Sequence, residues 1–91
     1  YGIDERMVLN DFVVFPNPAR DMVCIRLMPV ASIDMHVRLY DIRGSLLAAQ
    51  DFNGDENNPA CMSIGKFPGG LYLIKIETDS GCYVKKLIIN R

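Results

Sequence analysis

The side chains best suited to chemistry in this sequence are one histidine and three cysteines, His36, Cys24, Cys61 and Cys82. A Cys–His pair can supply a nucleophile and its base, and three thiolates with one imidazole can hold a tetrahedral zinc ion. Structural zinc sites usually take their ligands in closely spaced pairs, whereas these four residues are spread along the chain, and no G-x-S-x-G nucleophile elbow occurs. We therefore expect no catalytic site and no zinc site. The odd number of cysteines, without a C-x-x-C pair, does not indicate a disulfide framework either, so we expect three small apolar residues on strands.

A second candidate for chemistry is the polar stretch Asp51–Pro59, in which oxygen ligands fall at alternate positions. An EF-hand loop requires glycine at its sixth position and glutamate at its twelfth, and here these positions hold Glu56 and Met62. We expect a solvated, mobile acidic loop, with a flexible calcium site as the alternative. Gly69-Gly70 precedes a predicted strand rather than a helix that could receive a phosphate, so no cofactor is expected.

Size and charge restrict the function further. The 91 residues are 49% hydrophobic and carry a net charge of −1, which is typical of one packed domain. This balance favours neither nucleic acid nor an anionic membrane surface as a partner, and no apolar run is long enough for membrane insertion. The sequence starts without methionine and without a signal-peptide pattern, which indicates a piece of a longer protein. We assign residues 1–10 to a linker or N-terminal extension and residues 11–91 to the domain.

The sequence predicts β-strands as the elements that would position any site. Apolar residues alternate with polar ones, and turn signals recur about every ten residues. The predicted strands are Asp11–Phe15, Met22–Met28, Met35–Tyr40, Leu46–Phe52, Cys61–Ile64, Leu71–Thr78 and Tyr83–Ile89. No window shows a helical pattern. The side chains expected to face the core are Val23, Ile25, Leu27, Val37, Leu39, Tyr72, Ile74 and Ile76.

Turn residues separate these strands. Pro16-Asn17-Pro18 lacks two N–H donors and must form an irregular corner. Asp41 and Gly44 are typical of a hairpin with a type I turn and a glycine bulge, and Asp79-Ser80-Gly81 repeats the device. Pro68-Gly69-Gly70 predicts another corner. The fold class is therefore all-β, an immunoglobulin-like antiparallel β-sandwich of about seven strands, although the chain has no tryptophan for an antibody-type core.

The last predicted strand, Tyr83–Ile89, becomes apolar on both faces after Lys85 and Lys86. One interpretation is a strand that is buried on both sides and contains a bulge. The other is an exposed edge strand whose outward side chains bind a partner, with a second outward apolar row at Leu71 and Leu73.

Four segments occur in an order that is similar to a known family. They are Phe15-Pro16-Asn17-Pro18, Tyr40-Asp41-Ile42-Arg43-Gly44, Gly69-Gly70-Leu71-Tyr72-Leu73 and Lys85-Lys86-Leu87-Ile88-Ile89. From Phe15 to Arg91 the chain resembles the type A C-terminal sorting domain of the type IX (Por) secretion system. One departure is Asn90-Arg91, where a lone Lys or Arg is usual. The resemblance assigns recognition to Pro16, Asn17, Pro18, Asp41, Gly44, Gly70, Tyr72, Lys85, Lys86, Leu87, Ile88 and Ile89.

The resemblance implies a non-catalytic signal. The parent cargo protein would cross the inner membrane, fold in the periplasm, and be recognised through this domain by the outer-membrane translocon. A surface sortase would then usually remove the domain and join the cargo to anionic lipopolysaccharide, so the cargo would end at the cell surface or outside the cell. The alternatives are a fibronectin- or immunoglobulin-like accessory or adhesion module of a secreted enzyme, or an uncleaved domain of the secretion machinery.

Overall fold

The computed structural model describes residues 11–28, 33–53, 59–79 and 81–91. The predicted strands are confirmed within one or two residues at each end. They are β1 (Asp11–Phe15), β2 (Met22–Met28), β3 (Met35–Asp41), β4 (Leu46–Phe52), β5 (Ala60–Ser63), β6 (Gly70–Thr78) and β7 (Gly81–Ile89). None of the described residues belongs to a helix, so that part of the chain contains no helix that could cross a membrane.

Two antiparallel sheets form a sandwich, as predicted. The first has the strand order β1-β2-β5, and the second has the order β4-β3-β6-β7. Consecutive strands pair as hairpins where the turn residues allow it, for example at Thr78, which pairs directly with Gly81. Gly81 has a φ of 151°, a backbone conformation that favours glycine at this turn.

The core lies between the sheets and is built from the alternate residues of their strands. Seven of the eight expected core residues are buried, namely Val23, Ile25, Val37, Leu39, Tyr72, Ile74 and Ile76. The side chain of the eighth, Leu27, lies outside the described residues. The core also includes residues that the alternation did not single out, among them Phe12, Ala19, Met35, Met62, Ile64, Leu87 and Ile89.

The expectation about the cysteines was wrong. Cys24 and Cys61 form a disulfide, with their Cα atoms 4.0 Å apart. The two residues lie directly opposite each other in the β2–β5 ladder, and this register brings together thiols that are 37 residues apart in sequence. Cys82 is the free, exposed cysteine. The disulfide withdraws two thiols from the Cys₃His zinc set that the composition allowed.

Most of the loop that suggested a calcium site lies outside the described residues, because residues 54–58 are not among them, so this alternative stays untested. Asp51 is part of β4, and its carboxylate accepts a hydrogen bond from His36 at 2.7 Å. No group of three or more potential metal ligands occurs within the described ranges.

Candidate recognition site

The four sequence segments that carry the resemblance meet at one end of the sandwich. β1 ends there at Phe15, and β3 ends there at Asp41, which pairs with Tyr72 near the start of β6. Gly70, the first residue of β6, pairs with Ile89, the last residue of β7. We call this end, formed by residues 15–21, 40–46, 64–73 and 86–91, the motif end. The chain enters β1 at the opposite end, where Asp11 pairs with Met28.

Asn17 connects the first segment with the last one. Its Nδ2 donates to the carbonyl oxygen of Lys86 at 3.1 Å, and its Oδ1 accepts from the backbone N–H of Ile88 at 3.0 Å. The side-chain amide therefore makes the two bonds that a neighbouring strand would make to this edge. Both flanking peptide bonds, Phe15–Pro16 and Asn17–Pro18, are cis.

Ala19 continues the same contact along β7. Its N–H donates to the carbonyl of Ile88 at 2.7 Å, and its own carbonyl accepts from the N–H of Asn90 at 2.7 Å. Ala19 is fully buried, so a larger side chain has no space there. We call Asn17 and Ala19 the brace. It occupies the outer edge of β7 from Lys86 to Asn90, so a partner strand could pair there only by displacing it.

The hairpin at Asp41 owes its shape to the aspartate side chain. Asp41 Oδ1 accepts the backbone N–H groups of Arg43 and Ser45, both at 2.9 Å. These bonds, above all the one from Ser45, hold the pKa of Asp41 below its usual value. Gly44 has a φ of 90°, which confirms the predicted glycine position in the turn. Asp41 and Gly44 thus shape the β3–β4 turn, which is part of the motif end.

The corner that precedes β6 packs under the C-terminal residues. The hydroxyl of buried Tyr72 donates to the carbonyl of Pro68 at 2.5 Å, which fixes the corner against the core. At Gly69 a Cβ atom would lie 3.2 Å from the carbonyl oxygen of Ile89 and 3.3 Å from Cγ of Arg91. Glycine at position 69 lets the corner approach the end of β7, and Gly70 follows with a φ of 152°.

Arg91 is a residue whose role the sequence did not indicate. Its Nε donates to the carbonyl of Phe67 at 2.9 Å, and its Nη2 donates to the carbonyl of Ile64 at 2.7 Å. Nη1 lies 3.4 Å from a carboxylate oxygen of Asp21. A guanidinium presents several donors in one plane and can satisfy all three acceptors together, which the single ammonium of lysine does less well.

β7 is an edge strand with one buried face. Leu87 and Ile89 point into the core, whereas Val84 and Ile88 are exposed. The β6–β7 register continues without a shift from Gly70 to Thr78, so the strand has no bulge. The interpretation of a strand buried on both sides is therefore wrong. The outward side chains are exposed, as the edge-strand interpretation expected, while the brace already covers part of the edge backbone; that a partner binds them stays a prediction.

His36 and Cys82 do not form a nucleophilic pair. Both lie on the outer face of the four-stranded sheet, and each pairs in register with Glu77. Two strand spacings put them roughly 10 Å apart, beyond hydrogen-bond reach. His36 instead bonds Asp51, whose hydrogen bond and charge raise the pKa of the imidazole above its usual value. Glu77 in turn pairs with Arg38.

Replacing Asn17 with alanine should destabilise the motif end. The variant loses both side-chain bonds to β7, and we expect the free energy of unfolding to fall by about 1–3 kcal/mol. For a chain of this size that corresponds to a drop in Tm of roughly 4–8 °C per kcal/mol, measurable by circular dichroism. The matched control is Asn53→Ala, an exposed asparagine after β4. Equal Tm values for the two variants would contradict the bracing role.

Comparisons with a family model, a curated relative and a solved structure identify the family of this domain. The family model of the secretion system C-terminal sorting domain matches residues 13–90. An endo-acting ulvan lyase from Formosa agariphila is 36% identical over 90 residues, which cover 97% of this chain and 17% of the lyase. Among solved structures, dimeric latent PorU from Porphyromonas gingivalis matches with a TM-score of 0.58 and 22% identity. That match covers 88% of this chain and 9% of PorU, and it supports the fold. The chain belongs to the family of secretion system C-terminal sorting domains, and its function is that of a type IX secretion signal for a cargo protein.

Proposed function

We propose that the outer-membrane translocon recognises this domain as a folded unit, through the motif end and the strands that meet there. The observation that carries the proposal is the convergence of four segments that are far apart in sequence. Asn17 alone bonds residues that lie 69 and 71 positions away. An unfolded chain would not bring these segments together, so the assembled end is a feature of the folded domain only.

The position of the chain entry supports the same proposal. Because β1 begins at the end opposite the motif end, residues 1–10 are joined to the domain at Asp11, which lies away from the four segments. We infer that these residues form the linker to the cargo. A translocon bound to the motif end would then leave the linker accessible to a sortase that removes the domain or joins the cargo to a surface anchor.

The disulfide supports transit through an oxidising compartment. Disulfides form and persist in the periplasm and outside the cell, whereas cytosolic thiols are kept reduced. The Cys24–Cys61 bond joins paired strands, so it forms most readily once β2 and β5 have found their register. This order of events fits a domain that folds in the periplasm and is then exported to the cell surface or the medium.

We infer that the domain contributes no catalytic step of its own. Within the described residues, two of the three thiols form the disulfide, and the free Cys82 lies out of reach of His36. Asp41, Tyr72 and Arg91 have structural hydrogen-bond partners. Any reaction associated with export would then belong to the sortase or to the cargo.

A gain-of-function experiment tests the proposed recognition. Residues 1–91 are fused to the C-terminus of a periplasmic reporter and expressed in a bacterium that has a type IX system. We expect the reporter at the cell surface or in the medium of that strain, and in the periplasm of the same strain without its translocon. A reporter that stays in the periplasm of both strains would contradict the proposal and favour an accessory or adhesion module.

A further inference from the structure

The outer face of the four-stranded sheet changes from apolar to charged along the strands. At the motif end, Leu71 lies beside Ile88 in register, and the next row consists of Leu46, Tyr40, Leu73 and Lys86. Neighbouring strands are about 4.8 Å apart, so these side chains form one continuous surface. We call Leu46, Tyr40, Leu71, Leu73 and Ile88 the outer apolar patch.

The opposite half of the same face is different. Asp51, His36 and Glu77 lie side by side there, and Arg38 pairs with Glu77. Charged side chains that bind one another in this way make an ordinary solvated strand face. The apolar side chains are therefore concentrated in the half of the face next to the motif end, and Val84, which pairs with Lys75, is a single exposed apolar residue farther along the face.

The patch is exposed. Leu46, Leu71 and Ile88 have 55%, 46% and 48% of their surface accessible, and Tyr40 and Leu73 are partly buried between them. Single exposed apolar residues are common on protein surfaces, but contiguous apolar patches mark sites of interaction. The five residues lie on the four adjacent strands β4, β3, β6 and β7 and form such a patch.

Two lysines lie along one side of the patch. Lys86 ends the row that contains Leu73, and Lys75 is the next outward residue of β6. Neither ammonium makes an ion pair with a carboxylate of the described residues. A surface that complements this arrangement would be apolar in the middle and would carry carboxylates opposite the lysines.

We propose that the outer apolar patch is the docking surface for a protein partner with an apolar contact area and an acidic margin. The inference rests on the proposed recognition by the export machinery and names the surface that the partner binds. The brace supports this choice, because it occupies the outer backbone edge of β7 and leaves the side chains of Lys86 and Ile88 as what β7 presents at the motif end.

A protein fits this surface better than a lipid membrane does. The chain has a net charge of −1, so an anionic bilayer does not attract the domain as a whole. Two lysines on one side match localised carboxylates rather than a uniform negative surface.

The reporter fusion described above tests the patch when two of its exposed residues are changed. In Leu71→Thr with Ile88→Thr, threonine keeps a strand-forming side chain but removes the apolar contact. We expect export to fall about tenfold or more, as it does when a central apolar anchor is lost from an interface. The matched control, Val13→Thr with Met22→Thr, changes exposed apolar residues of the other sheet and should leave export unchanged.

The second part of the test reverses the charge of the two lysines beside the patch. Lys75→Glu with Lys86→Glu should also lower export, and Lys75→Arg with Lys86→Arg should retain it, because arginine keeps the positive charge. Thermal unfolding of each variant chain should give the Tm of the unchanged chain, since all four positions lie on the outer face.

The outcomes separate the two proposals. If the unchanged fusion is exported and the threonine pair is exported equally well, the patch is not the docking surface, whereas recognition of the domain still holds. Normal export of the glutamate pair would contradict the acidic margin. Binding of the purified chain to vesicles of phosphatidylcholine and phosphatidylglycerol, lost in the threonine pair, would replace the protein partner with a membrane.

Discussion

A chain that ends at Lys85 is expected to lose its cooperative unfolding transition. The missing residues 86–91 include Leu87 and Ile89, which are buried against the core. Burial of two such side chains contributes about 1.5–3 kcal/mol each, against a total stability of about 5–15 kcal/mol for a small domain. The truncation also removes Arg91 from the corner at Ile64 and Phe67 and leaves Asn17 without its partners.

Circular dichroism of the truncated and unchanged chains measures this effect. Lys86→Ala is the control, because Lys86 is exposed and its backbone pairing with Leu73 remains. We expect the control to keep the Tm of the unchanged chain while the truncated chain melts broadly or is unfolded at 25 °C. A truncated chain with an unchanged Tm would show that β7 does not contribute to the core. Loss of export on truncation alone would report unfolding, which is why the patch variants are needed.

Loss of the disulfide is expected to have the second large effect on stability. The bond closes a loop between residues 37 positions apart, and the chain-entropy model gives a stabilisation of about 4 kcal/mol for such a loop. For a domain of about 90 residues, this corresponds to a decrease in Tm of roughly 15–30 °C. Cys24→Ala with Cys61→Ala should show the decrease in a thermal melt, as should the unchanged chain after reduction.

Cys82→Ser is the matched control for that measurement. Cys82 is exposed and unpaired, so its replacement should leave the Tm unchanged. The double alanine variant is best made in the Cys82→Ser background, where no free thiol remains to cross-link two chains. Equal Tm values before and after reduction would mean that the β2–β5 pairing does not depend on the covalent link.

Local pattern was sufficient to predict the seven strands of this domain and the glycine of the turn after β3. Alternation placed Val37 and Ile74 in the core, and Gly44 was predicted at positive φ because the hairpin requires it there. Such properties depend on residues that are near each other in sequence. The bounds of β7 were predicted within two residues for the same reason.

Contacts between residues that are far apart in sequence could not be predicted from these local patterns. The odd cysteine count did not reveal that the β2–β5 register brings Cys24 opposite Cys61. Asn17 was predicted in a corner, but its bonds to β7 depend on how the first and last segments meet in space. The ending Asn90-Arg91 differs from the family pattern, in which a lone Lys or Arg is usual. Only the fold shows which carbonyl groups Arg91 binds.

The brace makes the motif end dependent on nearly the whole domain. Asn17 is synthesised 69 residues before Lys86 and 71 residues before Ile88, so these hydrogen bonds cannot form until the domain has been made as far as Ile88. Contacts over such sequence separations also form late in folding, because the chain must first close a long loop. A domain that is truncated before Lys86, or that is unfolded, therefore lacks the assembled end. Under the proposed recognition, a partner that binds this end accepts only domains whose first and last segments have come together.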